Sequence, residues 1–214
     1  MVAVDTDTLA VEETDDVVTL RLNRPDSLNA LGPELVAGLR DAMAQLEADD
    51  RGVLFTGAGR ATCAGMDTDI VSDDYDAEFG DLDATLYDFF DRVEAHPAPT
   101  GIAGFGALVG AAFGLSLCCD FVVLEAGTTF SVPEIRYGIV SEQSATLLPE
   151  VVGRRVATEL LLTGAAIDPE RAHDLGLVNA VVDEGEAEAR TRAYLETVAD
   201  YDAADVAAVK DLVR

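Results

Sequence analysis

Residues 100–134, TGIAGFGALVGAAFGLSLCCDFVVLEAGTTFSVPE, decide the fold of this chain. Residues 100–105 form a short apolar run after a Pro-rich turn, and residues 106–120 are almost wholly apolar and rich in Gly and Ala. This pattern predicts a buried strand followed by a buried helix. The residues that open the helix are small, so a ligand can approach the backbone there: Gly106, Ala107, Gly110, Ala111 and Ala112.

Free backbone N–H groups at the start of such a helix favour an oxygen that carries negative charge. The stretch therefore has the outline of an oxyanion site, and Glu134 at its end is the one carboxylate placed where chemistry can use it. The alternative is a core helix that needs small residues for close packing. The stretch alone leaves both interpretations open.

Strands and amphipathic helices alternate along the first half of the chain. Residues 9–13 and 17–22 alternate apolar with polar side chains and predict a β-hairpin, residues 33–48 predict an amphipathic helix, and residues 51–56 predict a strand. Residues 72–83 are rich in Asp and are predicted to form an exposed loop. A repeated order of strand and helix is typical of an α/β fold.

The second half continues the same pattern. Residues 138–149 predict a turn and a short helix, residues 154–162 predict a longer helix that ends at Gly164, and a last short strand is expected around Val181. No tandem repeat or low-complexity linker separates two domains. We therefore predict a single domain with a core over residues 1–183 and a C-terminal helical segment over residues 184–214.

The charge of the chain disfavours several partners. Asp and Glu total 41 against 14 Lys and Arg in 214 residues, which gives a formal net charge of −27, and Lys210 is the single lysine. Neither nucleic acid nor an anionic membrane is expected to bind such a surface. The acidic residues are spread along the chain, which indicates a halophilic protein whose self-repulsion is screened by salt.

Other composition features point to a protein of the cytoplasm. No apolar run is long enough to span a bilayer, and residues 1–16 lack the basic start and apolar core of a signal peptide. Cys118 and Cys119 are adjacent and Cys63 is distant, so they offer neither a disulfide framework nor metal-ligand spacing. They are predicted to be small buried hydrophobic residues, and no metal site is expected.

Five segments in this order resemble the crotonase family, the enoyl-CoA hydratases and isomerases: NRPDSLNAL at 23–31, TGAGRATCAGMD at 56–67, GALVGAAFG at 106–114, SVPE at 131–134, and LLLTG with AHDLGLVN at 160–179. Each segment alone is a weak signal, whereas their order and spacing together are specific. The resemblance implies an α/β spiral of repeated ββα units. Its C-terminal helical region is short compared with typical relatives.

The resemblance also implies a ligand and an assembly. The expected substrate is an acyl-CoA thioester, in which coenzyme A is part of the substrate, so no separate cofactor is expected. The expected assembly is a homotrimer, or a hexamer formed by two trimers.

The family resemblance places two oxyanion donors on the backbone. In the family the thioester oxygen lies between two backbone N–H groups, and the matching positions here are Met66, after the Ala64 and Gly65 turn, and Ala111, after Gly110. The chemistry is reasonable without the family as well. Two turns that each supply an N–H group can polarise a thioester carbonyl and stabilise an enolate.

The carboxylates decide which reaction is expected. Hydratases of the family carry two glutamates, but here only the second is present, as Glu134, because the first position is Gly114. One acid–base group can move a proton between two carbons, whereas water addition usually needs both carboxylates. We therefore expect isomerisation of a 3-enoyl-CoA to a 2-enoyl-CoA. Glu134 is the expected proton shuttle, its pKa raised by the apolar Val132, Pro133 and Ile135.

Four further residues are predicted to bind the substrate. Arg24, Ser27 and Leu28 match a segment that borders coenzyme A in relatives, and Arg24 is expected to attract its phosphates. Asp67 is either an N-cap or a direct ligand contact. Asp69 stands where several relatives have a lysine near the nucleotide, which puts the usual nucleotide contacts in doubt.

Two other functions stay open. The first is hydration or another crotonase reaction on a CoA thioester, with Glu142 or a bound water as the extra group. The second is a non-catalytic acyl-CoA-binding subunit, which Gly114 and the short C-terminal region would explain.

Overall fold

A computed structural model of the chain describes residues 1–4, 6–67 and 78–213. The main sheet of the described part has six strands in the order β1-β2-β3-β4-β6-β8. Only the β1–β2 pair is antiparallel, and this is the predicted hairpin. The strands are β1 Leu9–Glu13, β2 Val17–Leu22, β3 Gly52–Gly57, β4 Thr100–Gly104, β6 Phe121–Glu125 and β8 Ala180–Val182.

A second, two-stranded sheet pairs β5 (Ala107–Val109) with β7 (Thr129–Ser131) in parallel. Helix α3 (Ala111–Cys118) follows β5 after one residue. The sequence predicted a helix directly after the strand at residues 100–105, so β5 was missed. Three residues are too few to show the alternation from which a strand is recognised.

Six more helices belong to the described residues: α1 Pro33–Gln45, α2 Glu78–Ala95, α4 Glu142–Thr163, α5 Pro169–Asp174, α6 Ala187–Ala199 and α7 Ala203–Val213. The loop prediction for residues 72–83 is wrong from Glu78 onward, because α2 begins there. Leu82 and Leu86 are buried on its apolar face, and this burial stabilises the helix more than the local Asp residues disfavour it. Residues 72–77 lie outside the described part.

The two helices predicted at residues 138–149 and 154–162 form the single element α4, which is kinked at Gly153. Gly153 has φ 74° and ψ 156°, outside the helical region. A glycine adopts this conformation without a steric penalty. The sequence therefore predicted two helical pieces correctly but not their direct continuation.

The main sheet is covered on both faces. Helix α6 packs against one face, where Leu195 is fully buried with Val17, Leu54 and Val123. The larger core lies on the other face and includes α1, α2 and α3, with Phe89 at its centre in edge contact with Phe55. This second face carries the small sheet β5–β7.

Helix α7 is fastened to the sheet by the one lysine of the chain. Lys210 is only 6 % exposed, and its Nζ donates to the Ala98 carbonyl at 2.7 Å and to the carboxylate of Asp120. The same carboxylate accepts a hydrogen bond from the Thr100 N–H at 2.7 Å. The C-terminal segment thus contacts the core directly. No helix in the described part of the chain is long and apolar enough to cross a membrane.

Candidate active site

The small sheet determines where helix α3 begins. Val109 pairs with Ser131, and the Gly110 N–H donates to the Ser131 carbonyl at 2.9 Å. Gly110 precedes the helix with φ 63° and ψ −124°, a conformation that favours glycine. Because β7 runs parallel to β5, the residues that follow Ser131 emerge beside the start of α3. Glu134 lies three residues further on.

A second turn lies against the same place. Cys63 bridges to β5 through two hydrogen bonds, from its N–H to the Ala107 carbonyl at 2.9 Å and from the Val109 N–H to its carbonyl at 3.1 Å. Gly65 follows with φ 96°, and a Cβ atom there would lie 2.8 Å from the Val109 carbonyl oxygen. Only glycine fits this contact. The turn that contains Met66 is therefore packed against the residues that open α3.

Two backbone N–H groups at these turns have no acceptor among the residues that the structure describes. The neighbours of Met66 are bonded, since Leu31 donates to the Gly65 carbonyl at 2.8 Å and Asp67 donates to the Leu31 carbonyl at 3.1 Å. Ala111 is the first residue of α3, where no intrahelical acceptor exists. Among the described residues, neither the Met66 nor the Ala111 N–H donates a hydrogen bond. Both residues line one cavity.

Glu134 places its carboxyl group in the same cavity. It begins a short 3-10 helix, Glu134–Tyr137, and its Oε1 lies 3.4 Å from where a Cβ of Gly110 would be. Its Oε2 is buried without a hydrogen-bond partner in the described part of the chain. Burial raises the pKa of Glu134 above 4.5, partly offset by a hydrogen bond from its own backbone. The protonated form of Glu134 is thus favoured more than that of an exposed glutamate, which suits a group that takes and returns a proton.

The predicted direction of the pKa shift is confirmed, but one of the predicted neighbours is wrong. Ile135 is 41 % exposed and does not line the cavity. The cavity has a volume of about 290 Å³, and the apolar residues that line it come from several segments of the chain. Helix α2 contributes Leu86 and Phe90.

Six of the predicted site residues line this cavity: Ala64, Gly65, Met66, Gly110, Ala111 and Glu134. The other four do not. Arg24 is paired with Asp67, since its Nη1 lies 2.9 Å from Asp67 Oδ2, and it also donates to the Ala30 carbonyl at 2.5 Å. Both groups of the pair are already neutralised. Asp67 therefore contacts Arg24 in this structure.

Ser27 and Leu28 belong to the loop that borders the first turn. Ser27 is exposed, whereas the Leu28 carbonyl accepts the Ala64 N–H at 3.0 Å. Leu28 has φ 50°, an uncommon value for a residue with a large side chain. Through this hydrogen bond the loop supports Ala64, which lines the cavity. Asp69 lies outside the described residues.

The side chain of Gln143 occupies the space beside Gly114. A Cβ atom on Gly114 would lie 3.2 Å from Oε1 of Gln143, at the start of α4. Gln143 Nε2 donates to Cys118 Sγ at 2.9 Å. The lack of a side chain at position 114 was noted from the sequence. Sequence alone does not show that an amide from another helix fills that space.

The cavity rim is acidic. Asp83 from α2 and Glu142 from α4 both line it, and the pKa of Asp83 is raised by burial and then by the charge of Glu142. The Tyr87 pKa is also raised, first by burial and then by these two carboxylates. Hydrogen bonds with the Glu142 and Gln143 backbones lower it in part. Glu142 is thus present in the cavity, as the sequence analysis allowed.

These groups together suit acyl chemistry. Two unpaired N–H groups can hold a carbonyl oxygen as negative charge develops on it, and a buried carboxyl group next to them can take or return a proton at the neighbouring carbon. The comparisons with known proteins agree with this interpretation. A sequence model of the enoyl-CoA hydratase/isomerase family matches residues 12–214. The chain belongs to this family.

Individual relatives cover most of the chain. A putative enoyl-CoA hydratase of Thermus thermophilus is 34 % identical, over 87 % of this chain and 76 % of its own length. The 1,2-epoxyphenylacetyl-CoA isomerase of Escherichia coli is 35 % identical, over 78 % of this chain and 67 % of its own. The names of relatives thus include both hydratases and an isomerase.

Solved structures confirm the predicted fold class. An enoyl-CoA hydratase of Mycobacterium smegmatis superposes with a TM-score of 0.90 at 30 % identity, covering 97 % of this chain and 82 % of that one. A putative enoyl-CoA hydratase of Streptomyces coelicolor gives 0.89 at 34 % identity, covering 99 % and 81 %. The crotonase resemblance read from the five sequence segments is therefore confirmed.

Proposed function

We propose that this protein acts on coenzyme A thioesters and moves the double bond of a 3-enoyl-CoA to the 2 position. The observation that carries the proposal is the position of Glu134. Its carboxyl group lies over Gly110, next to the unpaired N–H groups, while Gly114 one helical turn further carries no carboxylate. The family membership and the names of the relatives support a CoA thioester as substrate.

The mechanism uses one proton shuttle. The N–H groups of Met66 and Ala111 hold the thioester oxygen, which makes the hydrogens on carbon 2 more acidic. Glu134 removes one of them, and the charge spreads over the thioester oxygen, carbon 2 and carbon 4. Glu134 then returns the proton to carbon 4, so the double bond lies between carbons 2 and 3. No other atom is gained or lost.

Hydration of a 2-enoyl-CoA is the second candidate. It is favoured by one observation, the presence of Glu142 in the same cavity as Glu134. A second carboxylate can orient a water molecule for addition. Hydration that disappears in Glu142→Ala would support this candidate over isomerisation.

The test compares two substrates and two variants. Turnover of 3-enoyl-CoA and of 2-enoyl-CoA is measured separately in molar potassium chloride, because the formal net charge of −27 makes screening desirable. Glu134→Gln is expected to lower isomerisation by about 10³-fold, within the range of general acid–base catalysis. Glu142→Gln is the matched control, since it removes a carboxylate from the same cavity, and it should keep most activity.

Two outcomes would contradict the proposal. Isomerisation that is unchanged in Glu134→Gln would show that another group carries the proton. Saturable binding of acyl-CoA without turnover of either substrate would favour a binding subunit.

A further inference from the structure

The amide of Gln143 presents an acceptor to the cavity that none of the described residues satisfies. Its Oε1 is buried and has no hydrogen-bond partner in the described part of the chain. Gln143 lines the cavity together with Glu134. A buried acceptor without a donor is rare in folded proteins and indicates a missing water or ligand.

The orientation of this amide is fixed by its neighbours. Cys118 donates its S–H to the Gly114 carbonyl at 3.6 Å, so its sulfur presents a lone pair to Gln143 Nε2 at 2.9 Å. The nitrogen of the amide therefore faces the sulfur, and the oxygen faces the space over Gly114. The absent side chain at position 114 keeps that space open, since a Cβ there would lie 3.2 Å from the oxygen.

The amide oxygen lies beside the next turn of α3 from the proton shuttle. Glu134 Oε1 lies against Gly110 and Gln143 Oε1 lies against Gly114, four residues later on α3. Four residues advance a helix by about 6 Å. An acyl chain whose reacting carbons lie beside Glu134 therefore carries atoms a few bonds further on past Gln143.

The residues around Gln143 determine which ligand atoms bind favourably beside it. Leu86 and Phe90 also line the cavity, and both are apolar. A hydrocarbon chain among them leaves the Gln143 oxygen unpaired, which disfavours binding, whereas a hydroxyl group on the chain pairs with it. We propose that Gln143 selects an acyl chain with a hydrogen-bond donor, such as a hydroxyl, a few carbons beyond the reacting bond. This rests on the proposed function only in that the ligand is an acyl-CoA.

The test measures binding without turnover. Dissociation constants of hexanoyl-CoA and 6-hydroxyhexanoyl-CoA are obtained by calorimetry, since neither has the double bond that is isomerised. The wild type is expected to bind the hydroxylated ligand about 10-fold more tightly or better, and Gln143→Met, which removes the acceptor at similar size, should abolish the preference. Glu150→Gln, which changes a carboxylate on the same helix outside the cavity, is the matched control and should keep the preference. If Gln143→Met unfolds at a lower temperature than the wild type, Gln143→Leu is used instead.

Equal affinities in the wild type, or a preference that survives in Gln143→Met, would overturn the inference. The first result would mean that a water molecule satisfies the amide. Because the assay needs no catalysis, a protein that isomerises nothing but prefers the hydroxylated ligand would refute the proposed function and leave this inference standing. An active isomerase without the preference would support the proposed function and refute this inference.

Discussion

The cavity has two halves that are built differently. One half consists of backbone, namely the turn at Gly65 and the start of α3 at Gly110, joined by the bridge between Cys63 and Leu108. The other half consists of side chains from α2 and the start of α4, among them Tyr87 and Gln143. The backbone half holds groups that do not titrate, and their positions follow from strand pairing.

This difference means that the backbone half supports the chemistry, whereas the side-chain half determines substrate specificity. Backbone N–H groups can stabilise a thioester enolate whatever the acyl chain is, because they contact only the oxygen. The side chains of α2 and α4 contact the rest of the ligand and can change without moving these donors. We therefore expect substitutions in the backbone half to reduce the rate for every substrate, and those in the side-chain half to change which substrate or reaction is preferred.

Among the changes that compare the two halves, the largest effect should come from removing one backbone donor. Ala111 is the first residue of α3, a position where proline is tolerated because its N–H has no helical partner. Ala111→Pro deletes that N–H, and kcat should fall by about 10²- to 10³-fold, as for other oxyanion donors. Steady-state kinetics with several acyl chains measures it. The fall should be similar for all of them.

Ala111→Ser is the control, because it keeps the N–H group and alters the side chain alone. It should retain activity within about threefold, and thermal unfolding of both variants shows whether α3 still forms. If Ala111→Ser lost as much activity as Ala111→Pro, the side chain and not the N–H group would be responsible.

A smaller effect is expected from a carboxylate added to the side-chain half. Gly114→Glu alone must displace the Gln143 amide, since even a Cβ would lie 3.2 Å from its oxygen. In the double variant with Gln143→Ala, the new carboxylate has room one helical turn beyond Gly110, against which Glu134 lies. Hydration of 2-enoyl-CoA should then rise about 10-fold over the wild type, because two carboxylates can orient water. The single variant Gln143→Ala should show no such gain.

The smallest effect concerns pH and separates Glu134 from the acidic residues of the side-chain half. Burial raises the pKa of Glu134 above 4.5, and the ionised form is the base, so activity should fall as the pH drops through this raised value. The acidic limb of kcat/KM against pH is therefore expected at a higher pH than for an exposed glutamate. Asp83→Asn should leave the limb in place, although the Asp83 pKa is also raised. A limb that moved with Asp83 would assign the base to the rim.

The sequence predicted the backbone half well for a physical reason. Gly65, Gly110 and the apolar run between residues 100 and 120 are local signals, since strand pairing and positive φ angles leave their mark on neighbouring residues. Glu134 belongs to the same short stretch. Its distance from Gly110 follows from two three-residue strands in register.

The side-chain half escaped prediction because it depends on distant parts of the chain. Gln143 meets Cys118 and Gly114 only after α4 has packed on α3, and Asp83 was assigned to a loop that is in fact helical. The pairing of Arg24 with Asp67 is another contact between separate segments. Such contacts form through tertiary packing, and no local sequence pattern predicts them.

The buried lysine has a practical consequence for chemical labelling. Lys210 is the single lysine of the chain and is 6 % exposed. An amine-reactive fluorophore should therefore modify its side chain slowly while the protein is folded. A label at Lys210 would report that α7 has released Ala98 and Asp120, so the reactivity of this one side chain measures detachment of α7 from the core.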